Sequence, residues 1–413
     1  MVVALSGGVD SAVAATLLVK RGYKCIGLHM KLWTTSNRRL GNTEALKSAE
    51  TLRRAQRVAK KLGIPFYVVD LRKEFKKRVV DYFCEAYGEG LTPNPCVVCN
   101  RFIKFGELWK EAKKLGCDYL ATGHYARILV EARAPLFSET RGENKGNLGF
   151  GSSSLSDPPT RVSEVKSNCN WTADQYFSKR TPSPLFHLLV ARDKKKDQSY
   201  FLYRLNQEQL SHVMFPNGEY LKSEVREMAR KWSLPVKDTR ESQEICFLEG
   251  QDYREFLQSR IAWQIKPGEV IDSKGKVVGE HFGLPLYTIG QRSGFRIEHR
   301  AFGREKRKVP VLYVVEKDGK KNRLVVGREY EMQKKEFEVG ELGLINPGVE
   351  LAKFKKDVKV KLRSQGKLLN CRVFRLLKGK IRVCLEKSEM GLAAGQSAVF
   401  YRGYEVLGGG VII

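Results

Sequence analysis

Short apolar runs alternate with longer amphipathic stretches over the first 125 residues, the pattern of repeated βα units around a parallel sheet. Residues 2–5 make the first expected strand, and Asp10 and Ser11 offer capping side chains to a helix over residues 12–21 that Gly22 stops. Strands are expected over 25–32 and 66–70 and helices over 43–62 and 73–87, with 118–125 closing the series. Ligands of such open sheets sit beyond the carboxyl ends of the strands, so residues 6–11, Met30, Asp70 and 123–125 should converge there.

The pattern fails between 131 and 184, where Gly, Ser and Pro mark an insertion to which no chemistry is assigned. Helical spacing resumes over 197–232, and a charged, glycine-punctuated region follows Phe247. Beyond Val309 short alternating strands are expected at 311–315, 323–326, 358–362 and 381–385, the makings of a small β-barrel. The expected organisation is a catalytic α/β domain over 1–247, a small central domain over 248–300 and a C-terminal β-barrel over 308–413.

Composition adds a partner. Lys plus Arg number 74 against 46 Asp plus Glu, a net charge of +28 in 413 residues, which implies a polyanion. From Lys353 to Arg382 there are 12 basic residues and one acid, Asp357; with Arg300, Arg304, Lys306, Arg307 and Lys308 this reads as a stripe that tracks phosphates. No apolar run is long enough for a membrane span. Nine cysteines, an odd number and about 2% of the chain, suit a reducing compartment such as the cytoplasm.

Two motifs bring chemistry. Ser6, Gly7, Gly8, Val9, Asp10 and Ser11 lie between a buried strand and a helix, where glycines let backbone amides approach an anion and the helix adds its positive end. An acid beside phosphates implies a bridging divalent cation, so Mg²⁺ is expected; a plain glycine turn is the alternative. The hexapeptide resembles the PP-loop of the ATP pyrophosphatases, which adenylate a carbonyl or carboxyl oxygen and release pyrophosphate. The second motif runs Pro93, Asn94, Pro95, Cys96, Val97, Val98, Cys99, ahead of a helix expected over 100–115 whose N-terminus would lower the thiol pKa. Cys246 is a third candidate, 147 residues beyond Cys99. Beside an adenylating loop these thiols can carry sulfur as a persulfide and end as a disulfide, or hold an iron–sulfur cluster with one open iron.

Together these residues resemble the tRNA-specific 2-thiouridylase family, and the match runs over most of the chain. The resemblance implies that Ala4, Leu5 and residues 6–11, with Met30 and Gly123, bind ATP; that Cys99 is the nucleophile and Cys246 the persulfide carrier, with Asp10 catalytic; and that Asn94, Pro95, Cys96, Lys196, Asp197, Gln198, Arg363 and Ser364 meet the target base and tRNA. It also implies a sulfur-donating protein or sulfide as a partner. The chain departs from the family's pattern at Cys96, where Asp is usual, and at Ser364, where an aromatic is usual. Cys96, Cys99 and Cys246 are the candidate ligands of a cluster. The rival readings are a PP-loop ligase amidating a small carboxylate and a non-enzymatic, metal-containing RNA-binding protein.

Overall fold

The computed structural model describes residues 1–33, 43–132, 184–239, 245–248, 250–298, 311–353 and 357–413. The expected insertion beyond residue 132 and the basic residues Arg300, Arg304, Lys306, Arg307, Lys308, Lys355 and Lys356 lie outside them, as do Cys169 and Ser242, Gln243 and Glu244. The chain divides into two compact units, Met1–Leu129 with His187–Ile413, and Val130–Phe186. Only the ends of the second are described, and the architecture below is that of the first.

Its N-terminal part alternates β1 (Val2–Ala4), α1 (Val9–Lys20), β2 (Ile26–Lys31), α2 (Thr43–Leu62), β3 (Phe66–Asp70), α3 (72–88), α4 (95–114), β4 (Leu120–Ala121), β5 (Ala126–Glu131), β6 (Leu185–Val190), α5 (Gln207–Ser211), β7 (Val213–Met214) and α6 (Lys222–Lys231). Five strands form a parallel sheet in the order β3-β2-β1-β4-β7, with Val2 between Ile26 and Leu120. The order reverses at β1, so a crevice opens beyond the carboxyl ends of β1 and β4. α1 is buried almost all round by Ala12, Val13, Ala14, Ala15 and Leu18, and packs with Val225 and Ala229 of α6 in one core. Small residues let the helix lie close to the sheet, which fixes the loop in front of it.

α7 (Tyr253–Ile261) leads into a second sheet of β8 (Gly268–Asp272), β9 (Val277–His281), β10 (Arg296–Ile297), β11 (Tyr313–Asp318) and β12 (Arg323–Gly327). β11 and β12 were expected in the barrel from their alternation; they belong here instead, because β12 pairs in parallel with β8, Leu324 beside Val270, and buries Leu324 and Val326 with Val278 and Tyr287. Alternation specifies which face of a strand is buried and leaves its partner open. The barrel is built from β13 (Gln333–Leu344), β14 (Lys359–Lys361), β15 (Leu369–Arg375), β16 (Ile381–Met390), β17 (Ser397–Arg402) and β18 (Glu405–Ile412), and it closes where β13 pairs with β18, Val339 opposite Ile412. The helical spacing expected over 197–232 is interrupted: β7 completes the parallel sheet beside β4. Among the described residues no helix is long and apolar enough to cross a membrane.

Candidate active site

The loop after β1 is closed by Ser11. Its Oγ accepts the Ser6 amide at 3.2 Å and donates to the Gly8 carbonyl at 3.0 Å. The capping expected of Asp10 and Ser11 is therefore not what starts α1: Gly8 is the N-cap, without a side-chain bond, and Ser11 shapes the loop while Asp10 sits in the first turn. The first turn bonds from the Ala12 amide to Gly8, leaving the preceding amides at the positive end of the helix. Gly7 has φ +79°, and a Cβ there would stand 2.3 Å from the Thr51 carbonyl of α2. Ala4 and Leu5 are buried beneath the loop, Leu5 accepting at 2.7 Å from His29, and Met30 is half-buried at the end of β2.

Three later segments wall the loop. A Cβ on Gly123, just past β4, would come within 2.7 Å of the Asp10 carbonyl carbon and the Ser11 nitrogen, so only glycine permits this approach. The buried Asn217 side chain donates to the carbonyls of Asp10 (2.9 Å) and Gly123 (3.2 Å), clamping the two together. The Asp10 carboxylate takes the Lys222 ammonium at 2.6 and 2.8 Å and the Tyr125 hydroxyl at 2.7 Å. Tyr125 falls in the run 123–125 expected at the cleft; Asn217 and Lys222 carry no local sequence signal, and their roles depend on the fold.

The thiols follow on α4. The expected start at residue 100 is corrected to Pro95: Asn94 caps the helix by accepting the Val97 amide at 3.4 Å, and Pro95 occupies the first turn, where proline is tolerated. Cys96 and Cys99 thus lie inside the first turns, and residues 99–107 run as a π-helical stretch, a form that gathers at functional sites. Burial pushes the Cys99 thiol up to about 12, reinforced by Cys246 and Cys96 and opposed by the Lys104 ammonium, so the lowering expected from the helix end is overturned. Burial raises Cys96 in the same way. Cys246 is exposed, and its neighbour Phe247 is locked among Phe75, Phe83, Phe256 and Trp33 at ring separations of 5.2 to 6.3 Å. Across 147 residues of sequence, the Cys246 sulfur bears electrostatically on Cys99.

Lys104, five residues past Cys99, joins the two halves of the site. Its Nζ lies 3.3 Å from His124 Nε2, and His124 Nδ1 lies 2.7 Å from the Thr122 hydroxyl. Burial, then Lys104, holds His124 well below its usual range, so the ring is neutral. A path of contacts runs from the loop through Gly123 and His124 to Lys104, whose charge bears on Cys99. Iodoacetamide at neutral pH should therefore modify Cys246 well before Cys99, and the Cys99 rate should rise about tenfold per pH unit without a plateau below pH 11. Peptide mapping reads both; equal rates at pH 7 would contradict the burial.

The expected RNA contacts divide. Asp197 accepts the Ala191 and Ser199 amides and the Ser199 hydroxyl, and Gln198 exchanges bonds with the Tyr125 backbone at 3.0 and 2.8 Å, so both side chains brace the site from within. The Lys196 amide is held at 3.3 Å by Asp193. Tyr200, in the same run, donates to the Leu362 and Ser397 carbonyls of the barrel, next to Arg363. Arg363 itself bonds the Met390 and Gly391 carbonyls at 2.9 and 2.8 Å, with Ser364 half-buried beside it. On β15 and β16 the chain alternates Cys371, Val373, Ile381 and Val383 inward with Arg372, Arg375 and Arg382 outward, which lays the basic stripe on the barrel surface; β13 adds Glu338 beside Arg382.

Three family models match in order: the tRNA methyl transferase HUP domain over residues 1–147 and 161–250, the tRNA methyl transferase PRC-barrel domain over 254–328, and the aminomethyltransferase beta-barrel domain over 335–412. Full-length relatives are named tRNA-specific 2-thiouridylase MnmA. The chain is 37% identical to that of Carboxydothermus hydrogenoformans over 100% of this chain and 97% of the relative, 38% to that of Chloroflexus aurantiacus (100% and 98%), and 36% to that of Symbiobacterium thermophilum (100% and 91%). The chain belongs to the tRNA-specific 2-thiouridylase family.

Membership in the 2-thiouridylase family implies use of ATP with a metal ion. Both Asp10 oxygens already face Lys222, and one also holds Tyr125, so the carboxylate does not stand open as the ligand the sequence suggests. Among the described residues no group of three His, Cys, Asp or Glu side chains is arranged to hold a metal.

Proposed function

We propose that this protein adenylates the C2 oxygen of the wobble uridine in tRNA with ATP and replaces that oxygen by sulfur, giving 2-thiouridine, AMP and pyrophosphate. The observation that carries the reading is the run of contacts from the phosphate loop through Gly123 and His124 to Lys104, five residues past Cys99 on the same helix. Loop amides and the start of α1 receive the phosphates. An uridine in an anticodon loop is unstacked and can enter a pocket, while the barrel's basic face holds the backbone without reading it.

Cys246, exposed, can be loaded as a persulfide by a sulfur-donating protein: its thiolate attacks the terminal sulfur of the donor's persulfide and the donor's thiolate leaves. The terminal sulfur on Cys246 attacks C2, the C2–O bond breaks and AMP leaves with the oxygen. Cys99 then attacks the Cys246 sulfur, the S–S bond to the base breaks, and the base keeps one sulfur while Cys99 and Cys246 form a disulfide that external thiols reduce. The protonated Cys99 gives its proton to solvent or to the leaving sulfur in that step. Cys96, Cys99 and Cys246 do not form a group arranged to hold a metal, which favours the persulfide route over a cluster.

The test is incubation of full-length protein with unmodified tRNA, Mg·ATP, a persulfide donor and a thiol that reduces the disulfide formed at each turnover. Nucleoside mass spectrometry should show an oxygen-to-sulfur exchange that requires ATP. Turnover of a small carboxylate without RNA would place the protein with the amidating ligases instead. Anaerobic purification with an iron assay separates persulfide from cluster chemistry.

A further inference from the structure

We infer that Lys222 is a positioning residue of the phosphate loop: its ammonium neutralises Asp10, so that the loop presents amides, without a bare carboxylate, to a polyanion. It deepens the reading of residues 6–11 as the ATP loop and rests on it. Lys222 is only 8% exposed, and it opens α6, so its charge lies at the positive end of a ten-residue helix, where an acid is normally preferred. A buried ammonium in that place requires a compensating anion, and Asp10 supplies it through both oxygens, 212 residues away in sequence. The Tyr125 ring lies 5.4 Å from the ammonium while its hydroxyl bonds Asp10, so one tyrosine fixes both partners. Asn217, five residues earlier, holds the Asp10 carbonyl, which prevents the pair from swinging out of the wall.

An Asp beside a triphosphate repels it unless a cation intervenes. In the sequence that cation was a divalent ion; in the structure it is Lys222, and the two assignments predict opposite genetics. If Lys222 neutralises Asp10, Lys222→Met exposes an unmated carboxylate to the phosphates, and removing that charge with Asp10→Asn should relieve the defect. If Asp10 instead serves as a metal ligand, or Lys222 holds the phosphates directly, the second substitution gives no relief.

The experiment measures Mg·ATP affinity calorimetrically on the full-length protein, with thermal melts for each variant. Lys222→Met should weaken binding about tenfold or more, Lys222→Arg should stay within about threefold of wild type, and Asp10→Asn/Lys222→Met should recover most of the loss. A double variant no better than Lys222→Met, or an unchanged Lys222→Met, overturns the inference. If Lys222→Met fails to fold, Asp10→Asn and the double variant carry the test: affinities within about threefold support it, and a tenfold deficit of the double variant overturns it. Wild-type protein that does not bind Mg·ATP overturns the loop reading as well, which separates the two failures.

Discussion

Cys99→Ser is expected to abolish 2-thiouridine formation, by on the order of 10³-fold or more, and to leave tRNA affinity within about twofold. Cys246→Ser should do the same. The reason is positional. Cys99 is buried on α4, where serine replaces it without opening a cavity, and Cys246 projects from an aromatic anchor that its own substitution does not touch. Neither belongs to the basic face of the barrel, so binding and chemistry separate. Mass spectrometry of tRNA nucleosides reads the first and filter binding at fixed salt the second. Retained thiolation in either variant removes that sulfur from the mechanism.

Gly7→Ala is expected to lower ATP affinity about tenfold or more. Two independent costs act at that residue. A left-handed backbone costs a non-glycine residue about 1 to 2 kcal/mol, and the added methyl meets the Thr51 carbonyl, which belongs to a helix backbone and cannot turn aside. Either the loop flattens or α2 withdraws, and both spoil the array of amides. Gly8→Ala is the matched control, because a Cβ there meets only the Ser6 hydroxyl at 3.5 Å and φ is ordinary. Equal ATP affinities for the two variants would show that the approach of α2 does not shape the loop.

Much of this arrangement is written locally. The strand Phe66–Asp70 and the helix Thr43–Leu62 fall on the residues that periodicity indicates, and the loop is evident because strand, glycines and helix are adjacent in the chain. The start of α4 was also present in the sequence: Asn94 before Pro95 is a cap followed by a first-turn proline, although two prolines read more readily as a loop. The charge state of Cys99 was not legible. A helix end and a buried environment push a thiol in opposite directions, and only the packing shows that burial prevails. Lys222, Asn217 and Phe247 were missed for the same reason: each matters through a neighbour from a distant part of the chain.

Residues 197–201 are bonded at one end to Tyr125, beside the nucleotide wall, and near the other to the carbonyls of Leu362 and Ser397. This short strut makes the span between grip and chemistry a fixed length. On the proposed function, an RNA held by the barrel would be gauged like a key against a lock's depth: a stem of the wrong length, whatever its letters, would leave its base short of the sulfur or beyond it.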